Sequence, residues 1–154
     1  MVGAGFTGAM FSRNSSEEKP SFEIEATESA EIAARLGAEI AARFGPRDEA
    51  PLSVLIRDGV GALIGGLNGV IHWRWLYIRH VWVEETWRGK GLATQLMEFA
   101  VEAARARGAI GAYIDTFDPK VAAFYERLGF TPVGSIADFP PGGRRHFLSK
   151  PLNG

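Results

Sequence analysis

The chain has 154 residues and a mass of 16.7 kDa, the size of one domain. Hydrophobic residues make up 46% and charged residues 23%, which excludes bulk disorder and a chain embedded in a membrane. With 17 Lys plus Arg against 18 Asp plus Glu the net charge is -1, against a nucleic-acid binder held by phosphate contacts, and the absence of cysteine removes disulfides, thiolate metal sites and a cysteine nucleophile.

The opening Met1 to Phe11 is mildly apolar, but no basic residue precedes it and it is too short to cross a bilayer. Ser12 to Pro20 is polar, so residues 1–20 read as a flexible arm before a single domain over 21–154, and a cytoplasmic protein is expected. Phe22 to Glu25 alternates like a first strand. A helix is predicted from Ser29 to Phe44, with Ile32, Leu36, Ile40 and Phe44 recurring every four residues and Gly45-Pro46 closing it. Leu52 to Arg57 is a second strand ended by Asp58-Gly59. Ala62 to Trp73 and Trp75 to Val83 are rich in β-branched and aromatic residues and form a predicted strand pair, joined at Trp73-Arg74 by a turn or a bulge.

Gly89 to Arg107 carries the strongest helical pattern, with Leu92, Leu96, Phe99, Ala100 and Ala103 as its apolar face and Gly108 as its stop. Ile110 to Thr116 is a further strand. Asp118 and Pro119 begin a short helix bearing Val121, Phe124 and Leu128 on one face and ending at Gly129. Thr131 to Ile136 and His146 to Lys150 are closing strands around Pro140-Pro141-Gly142-Gly143. This order predicts a mixed α/β sheet of six to seven strands, mostly antiparallel, with helices on both faces.

The segment from Val81 to Ala93 carries the chemistry. A strand passes through Glu84 and Glu85 into Arg88-Gly89-Lys90-Gly91-Leu92-Ala93, where a long helix begins. Unpaired N–H groups and the helix dipole favour an anion there, Gly89 and Gly91 let it approach the main chain, and Arg88 and Lys90 add charge. The Walker pattern fails because Gly91 follows Lys90, and the dinucleotide fingerprint lacks its third glycine at Thr94. An ordinary strand-to-helix turn would also account for one capping glycine. The acyl-CoA pyrophosphate loop, Gln/Arg-x-x-Gly-x-Gly/Ala, is filled in full by Arg88, Gly91 and Ala93. Downstream, Phe124-Tyr125-Glu126-Arg127-Leu128-Gly129-Phe130 resembles the closing motif of the same family, a helical tyrosine ahead of a Gly-Phe that opens a strand. With both motifs in order, the chain from Phe22 to Leu152 resembles the GNAT N-acetyltransferases. Asp118 and Val121 depart from the Asn and Ala of many members; a carboxylate at Asp118 can cap the helix but would repel phosphate.

The resemblance implies the GNAT fold and direct transfer of an acetyl group from acetyl-CoA to a primary amine; no metal is expected, since His72, His80 and His146 without cysteine give no known ligand spacing. Val81, Trp82, Val83, Arg88, Gly89, Lys90, Gly91, Leu92, Ala93, Asp118 and Tyr125 would contact the cofactor. A main-chain N–H near Trp82-Val83 would polarise the thioester oxygen, and Tyr125 would protonate the departing thiolate. A lysine-like amine of pKa ~10.4 needs roughly 4.6 kcal/mol to be neutral at pH 7, an α-amine of pKa ~7.8 about 1 kcal/mol. Glu84 is the first candidate base, then Glu85 and Asp115, with His80 and His72 behind them. By strand alternation only one of Glu84 and Glu85 faces a cleft unless a bulge intervenes. Trp75 and Tyr77, with Glu85 and Asp115, are candidates for the acceptor pocket. Trp73, Trp75 and Tyr77 should share one side with Trp82 opposite, if the strand is unbroken. The expected acceptor is a small molecule such as an antibiotic, toxin or polyamine; a peptide acetyltransferase and a non-catalytic acyl-CoA binder are the alternatives. No nucleic-acid or membrane partner is expected, and the fold is compatible with a homodimer.

Overall fold

A computed structural model of the chain describes residues 19–152. Most of the expected arm lies outside them. Residue contacts divide the chain between Glu39 and Ile40. On the N-terminal side, Phe22 to Glu25 is not a strand: Phe22 and Ile24 are fully exposed, and the four-residue alternation has no neighbouring strand to pair with. Helix α1 (Ala30–Phe44) forms as expected, with the Ser29 hydroxyl accepting from the Ile32 N–H and Glu31 paired to Arg35 one turn on. It buries no residue; Ile32, Leu36 and Phe44 stay exposed.

From Ile40 onward a six-stranded sheet forms in the order β1-β2-β3-β4-β6-β5, where β1 is Ala50–Arg57, β2 Leu63–His72, β3 Trp75–Val83, β4 Gly111–Thr116, β5 Thr131–Ala137 and β6 Arg144–Pro151. Only β3 and β4 run parallel. Their crossover carries α2 (Leu92–Ala106), and α3 (Pro119–Arg127) links β4 to β5. Trp73 and Arg74 both take left-handed dihedrals, φ 45° and 64°, so the β2–β3 connection is a two-residue turn whose twist suits a hairpin.

The core is one cluster on one face of the sheet. Leu52, Leu67, Leu76, Ile78, Val83, Ile114 and Leu148 supply the strand side; Leu96, Met97, Ala100, Val101 and Ala104 of α2 and Ala122 and Tyr125 of α3 close over it. The expected apolar face of α2 packs on the sheet, with Leu92 and Ala103 partly buried against the core, but the face is wider than expected and leaves out Phe99. Leu96 and Ala100 are buried, but Met97, Val101 and Ala104 complete the seam, while Phe99 is 64% exposed. Small Ala100 and Ala104, both fully buried, let the helix settle close to the sheet.

A bulge in β3 decides which side chains face that core. Gly69 pairs with Ile78 and Asn68 with His80, leaving Arg79 without a partner. Leu76 and Ile78 point into the core before it, and Val81 and Val83 after it, so the parity of the strand reverses. Trp82 therefore lies on the same side as Trp75 and Tyr77, not opposite as an unbroken strand would place it.

Candidate functional site

Strands β3 and β4 pair from Trp75–Gly111 to Ile78–Ile114 and then part. Beyond Ile78, β3 keeps its bonds to β2 alone: the Glu84 N–H donates to the Ile64 carbonyl at 2.8 Å. By antiparallel alternation Trp82 and His80 also turn their main-chain groups to β2, so those of Val81 and Val83 face the gap. The Val83 carbonyl is taken by the Arg88 Nε, which donates to it at 2.8 Å. Its N–H remains for a ligand.

The gap opens into a cavity of about 390 Å³ lined by Val81, Trp82 and Val83 of β3, Arg88 and Ala93 around the start of α2, and Val121, Phe124 and Tyr125 of α3. A second cavity of about 220 Å³ shares Val83, Arg88, Ala93 and Phe124 with it and continues along Trp87, Gly89, Gly91, Leu92 and Thr94. Together they form one groove from the α2 N-terminus to Tyr125. At the upper end Gly89 and Gly91 have φ of 75° and 77°, and a Cβ at either would meet no protein atom within 4 Å. No side chain caps α2 at Gly91, so its first N–H groups are left for a ligand. Lys90 stands nearby with its ammonium 4.7 Å from the Trp87 ring centre. Free amides, a helix N-terminus, two cations and open space above the glycines fit a pyrophosphate.

At the lower end Tyr125 is buried, 5% exposed, with Phe124 and Phe130 against its ring. Burial, reinforced by the Asp115 carboxylate, pushes its hydroxyl up to about 12, so it is a proton donor throughout the neutral range. Asp118, expected near the phosphates, instead accepts from the Lys120 N–H at 2.8 Å and caps α3. That bond accounts for a carboxylate at this position without any ligand contact.

Across the opening, on the face away from α2 and α3, lies a polar and aromatic cluster. Tyr77 stacks on Tyr113 with ring centres 4.8 Å apart and donates to Asp115 Oδ1 at 2.9 Å. Arg145 Nε donates to Asp115 Oδ2 at 2.7 Å. Burial first, then the bond to Asp115, raises the Tyr77 hydroxyl, and the same carboxylate raises the Arg145 guanidinium further. Arg145 lies within 5.0–5.5 Å of the Phe117, Phe139 and Phe147 ring centres. From the sequence, Arg144-Arg145 with Asp138 bracket the last loop, where they could reach an acceptor or a second subunit; the bond from Arg145 to Asp115 between β6 and β4 is set by register, which no local pattern encodes.

The other acceptor-side candidates sit elsewhere. Trp75 packs over Gly111 where β3 and β4 are still joined, so it belongs to the closed end of the cleft. Glu84 and Glu85 are exposed at the exit of β3 and line neither cavity. His72 bonds Arg47 through Nδ1 and Tyr113 through Nε2, and burial lowers its pKa. Among the described residues no group of three or more His, Asp or Glu is placed to hold a metal ion, and no helix is long and apolar enough to cross a membrane.

Comparison with known proteins matches residues 13–130 to the acetyltransferase (GNAT) family. The chain belongs to the GNAT acetyltransferases. It is 42% identical over 103 residues to an acetyltransferase of Agrobacterium fabrum, a match covering 67% of this chain and 75% of that protein. To the blasticidin-S acetyltransferase of Streptomyces morookaense it is 41% identical over 93 residues, 60% of this chain and 68% of that one. Its fold superposes with a TM-score of 0.77 on the crystal structure of an acetyltransferase from Agrobacterium tumefaciens, 38% identical, with 86% of this chain and 99% of that one covered. This GNAT domain is thus an acetyl-CoA-dependent acyltransferase with the mixed, mostly antiparallel sheet that its sequence implies.

Proposed function

We propose that this GNAT enzyme transfers an acetyl group from acetyl-CoA directly to a primary amine of a small molecule, an antibiotic being the leading class. The parting of β3 from β4 beside buried Tyr125 carries the reading, because it places free main-chain donors and a phenol at the two ends of one cleft. The 41% identity to a blasticidin-S acetyltransferase supports a small acceptor. Gly89 to Ala93 hold the pyrophosphate through their amides, and Lys90 adds charge. Arg88 braces the end of β3 through the Val83 carbonyl, and Val81 and Val83 hold the pantetheine arm. The Val83 N–H donates to the thioester oxygen, where negative charge collects during attack. The amine lone pair forms the new C–N bond, the C–S bond breaks, and the Tyr125 hydroxyl delivers a proton to sulfur. The proton lost by the amine restores the phenol through solvent.

The test is thermal unfolding with acetyl-CoA together with thiol release across amines that include peptide N-termini. Acetyl-CoA at 100 times its Kd should stabilise the wild type by about 2.7 kcal/mol and Arg88→Ala by less. A melting curve unmoved at millimolar acetyl-CoA would end the reading. Thiol release with peptides alone would move the acceptor to the protein class.

A further inference from the structure

The C-terminal end of α2 carries a concentration of positive charge of its own. A cavity of about 380 Å³ there is lined by Arg47, Arg74 and Arg107, with Trp73 and buried Ile71 as apolar wall and Asp48 as carboxylate. All of these residues lie in the unit that starts at Ile40. Gly91 begins α2 and Arg107 ends it, so about 22 Å of helix separates this cavity from the glycine turn.

Each arginine is anchored by only part of its guanidinium. Arg74 donates through Nε to the Gly108 carbonyl at 3.0 Å, and Arg107 through Nη1 to the Pro51 carbonyl at 3.1 Å. Arg47 bonds the His72 Nδ1 through Nη2 at 3.2 Å, its guanidinium carbon 5.1 Å from the Trp73 ring centre and its Nε 3.5 Å from Glu49. Among the described residues, both Nη groups of Arg74 and the Nε and Nη2 of Arg107 have no bonding partner. The end of α2 does not draw on them, because the Arg107, Gly108 and Ala109 N–H groups already bond back into the helix. Three guanidinium groups around one cavity repel one another, and an oxyanion between them relieves that repulsion. Burial, then Arg47, lowers the His72 pKa, so that imidazole registers the charge of the cluster. The backbone is also strained here: Asp48, Trp73 and Arg74 take φ of 50°, 45° and 64°. Asn-Gly would form the two-residue turn at lower cost, yet the chain keeps an indole and a guanidinium there, and both line the cavity.

We propose that this cavity is an anion site, separate from the groove beside Tyr125, that takes a phosphate dianion, free or carried by a nucleotide. The guanidinium groups bind its oxygens, and the Trp73 wall receives a base where one is attached.

The experiment titrates the full chain with inorganic phosphate and, separately, with AMP in a calorimeter, against chloride at equal ionic strength. Saturable binding is expected. The His72 ring signals in NMR should titrate at higher pH once phosphate is bound, because a nearby anion favours the imidazolium. Arg74→Gln and Arg107→Gln retain an amide donor for the anchoring carbonyl and should each weaken binding by about tenfold or more. Asp48→Asn tolerates the left-handed backbone and, by removing the lining carboxylate, should tighten binding by about two- to fivefold. Gly91→Ala, which crowds the turn at the opposite end of α2, should leave the affinity unchanged. AMP binding tighter than phosphate supports a nucleotide as the source; equal or weaker AMP supports the free ion. Three results overturn the proposal: phosphate giving no more heat than chloride, binding that Gly91→Ala removes, or wild-type affinity in Arg74→Gln and Arg107→Gln proteins that melt as the wild type does.

Discussion

In the proposed reaction Tyr125 ties stability to chemistry through one buried hydroxyl. Its folded pKa of about 12 stands above the ordinary value of 10.0, so the folded state keeps a proton that the unfolded chain releases first. Stability from this group is therefore full below pH 10 and is lost as pH climbs toward 12, by about 3 kcal/mol in all. Tyr125→Phe should flatten that alkaline loss in urea titrations at pH 9 to 11. The same variant should lower kcat by 10- to 1000-fold while leaving the acetyl-CoA Kd within a few-fold, because it removes a proton donor and keeps the ring. Asp115 has the opposite character. Asp115→Asn leaves Arg145 among three phenyl rings without its anion and should cost 1–3 kcal/mol in denaturant melts.

Among the elements, the loop into α2 and the helix itself separate binding from folding. In Gly91→Ala a left-handed Ala costs about 1–2 kcal/mol, and its methyl enters the space above the first amides. The acetyl-CoA KM should rise at least tenfold. Gly37→Ala in α1, with nothing within 4 Å, should instead gain up to about 1 kcal/mol and leave KM alone. Leu96→Ala removes a side chain that is 1% exposed and should cost 2–5 kcal/mol by urea unfolding. Local signals were readable in this part of the chain. Arg88, Gly91 and Ala93 announced the glycine turn that opens α2 without a side-chain cap, and Asp118-Pro119 announced a cap that the structure contains. Phe22 to Glu25 misled because alternation states a preference for a strand, and only a partner strand satisfies it. Phe99 misled because a helix with apolar residues at both Leu92-Leu96-Phe99 and Met97-Val101-Ala104 has two plausible seams, and the sheet chooses between them.

Across the whole molecule the sheet divides the work by face. Helices α2 and α3, the core and Tyr125 occupy one side; Tyr77, Tyr113, Asp115 and Arg145 occupy the other, and the parted strands join the two. The fold was legible because the two motifs lie in order along the chain and each fixes an element start. The cluster on the opposite face was legible only in part: Tyr77 and Asp115 were candidates, but the bond from Arg145 to Asp115 spans thirty residues and forms only through strand register. Trp82 was misplaced for a related reason: one extra residue, Arg79, shifts the count by one. Position 79 therefore contributes length more than chemistry. Arg79→Ala should keep the acetyl-CoA-induced rise in melting temperature. Deleting the residue would join Ile78 to His80 in register with Gly69 and Asn68, leaving Trp82, Val81 and Val83 on their present sides. It would remove the bend at which β3 leaves β4, and should therefore diminish that rise although every side chain lining the cleft is still encoded.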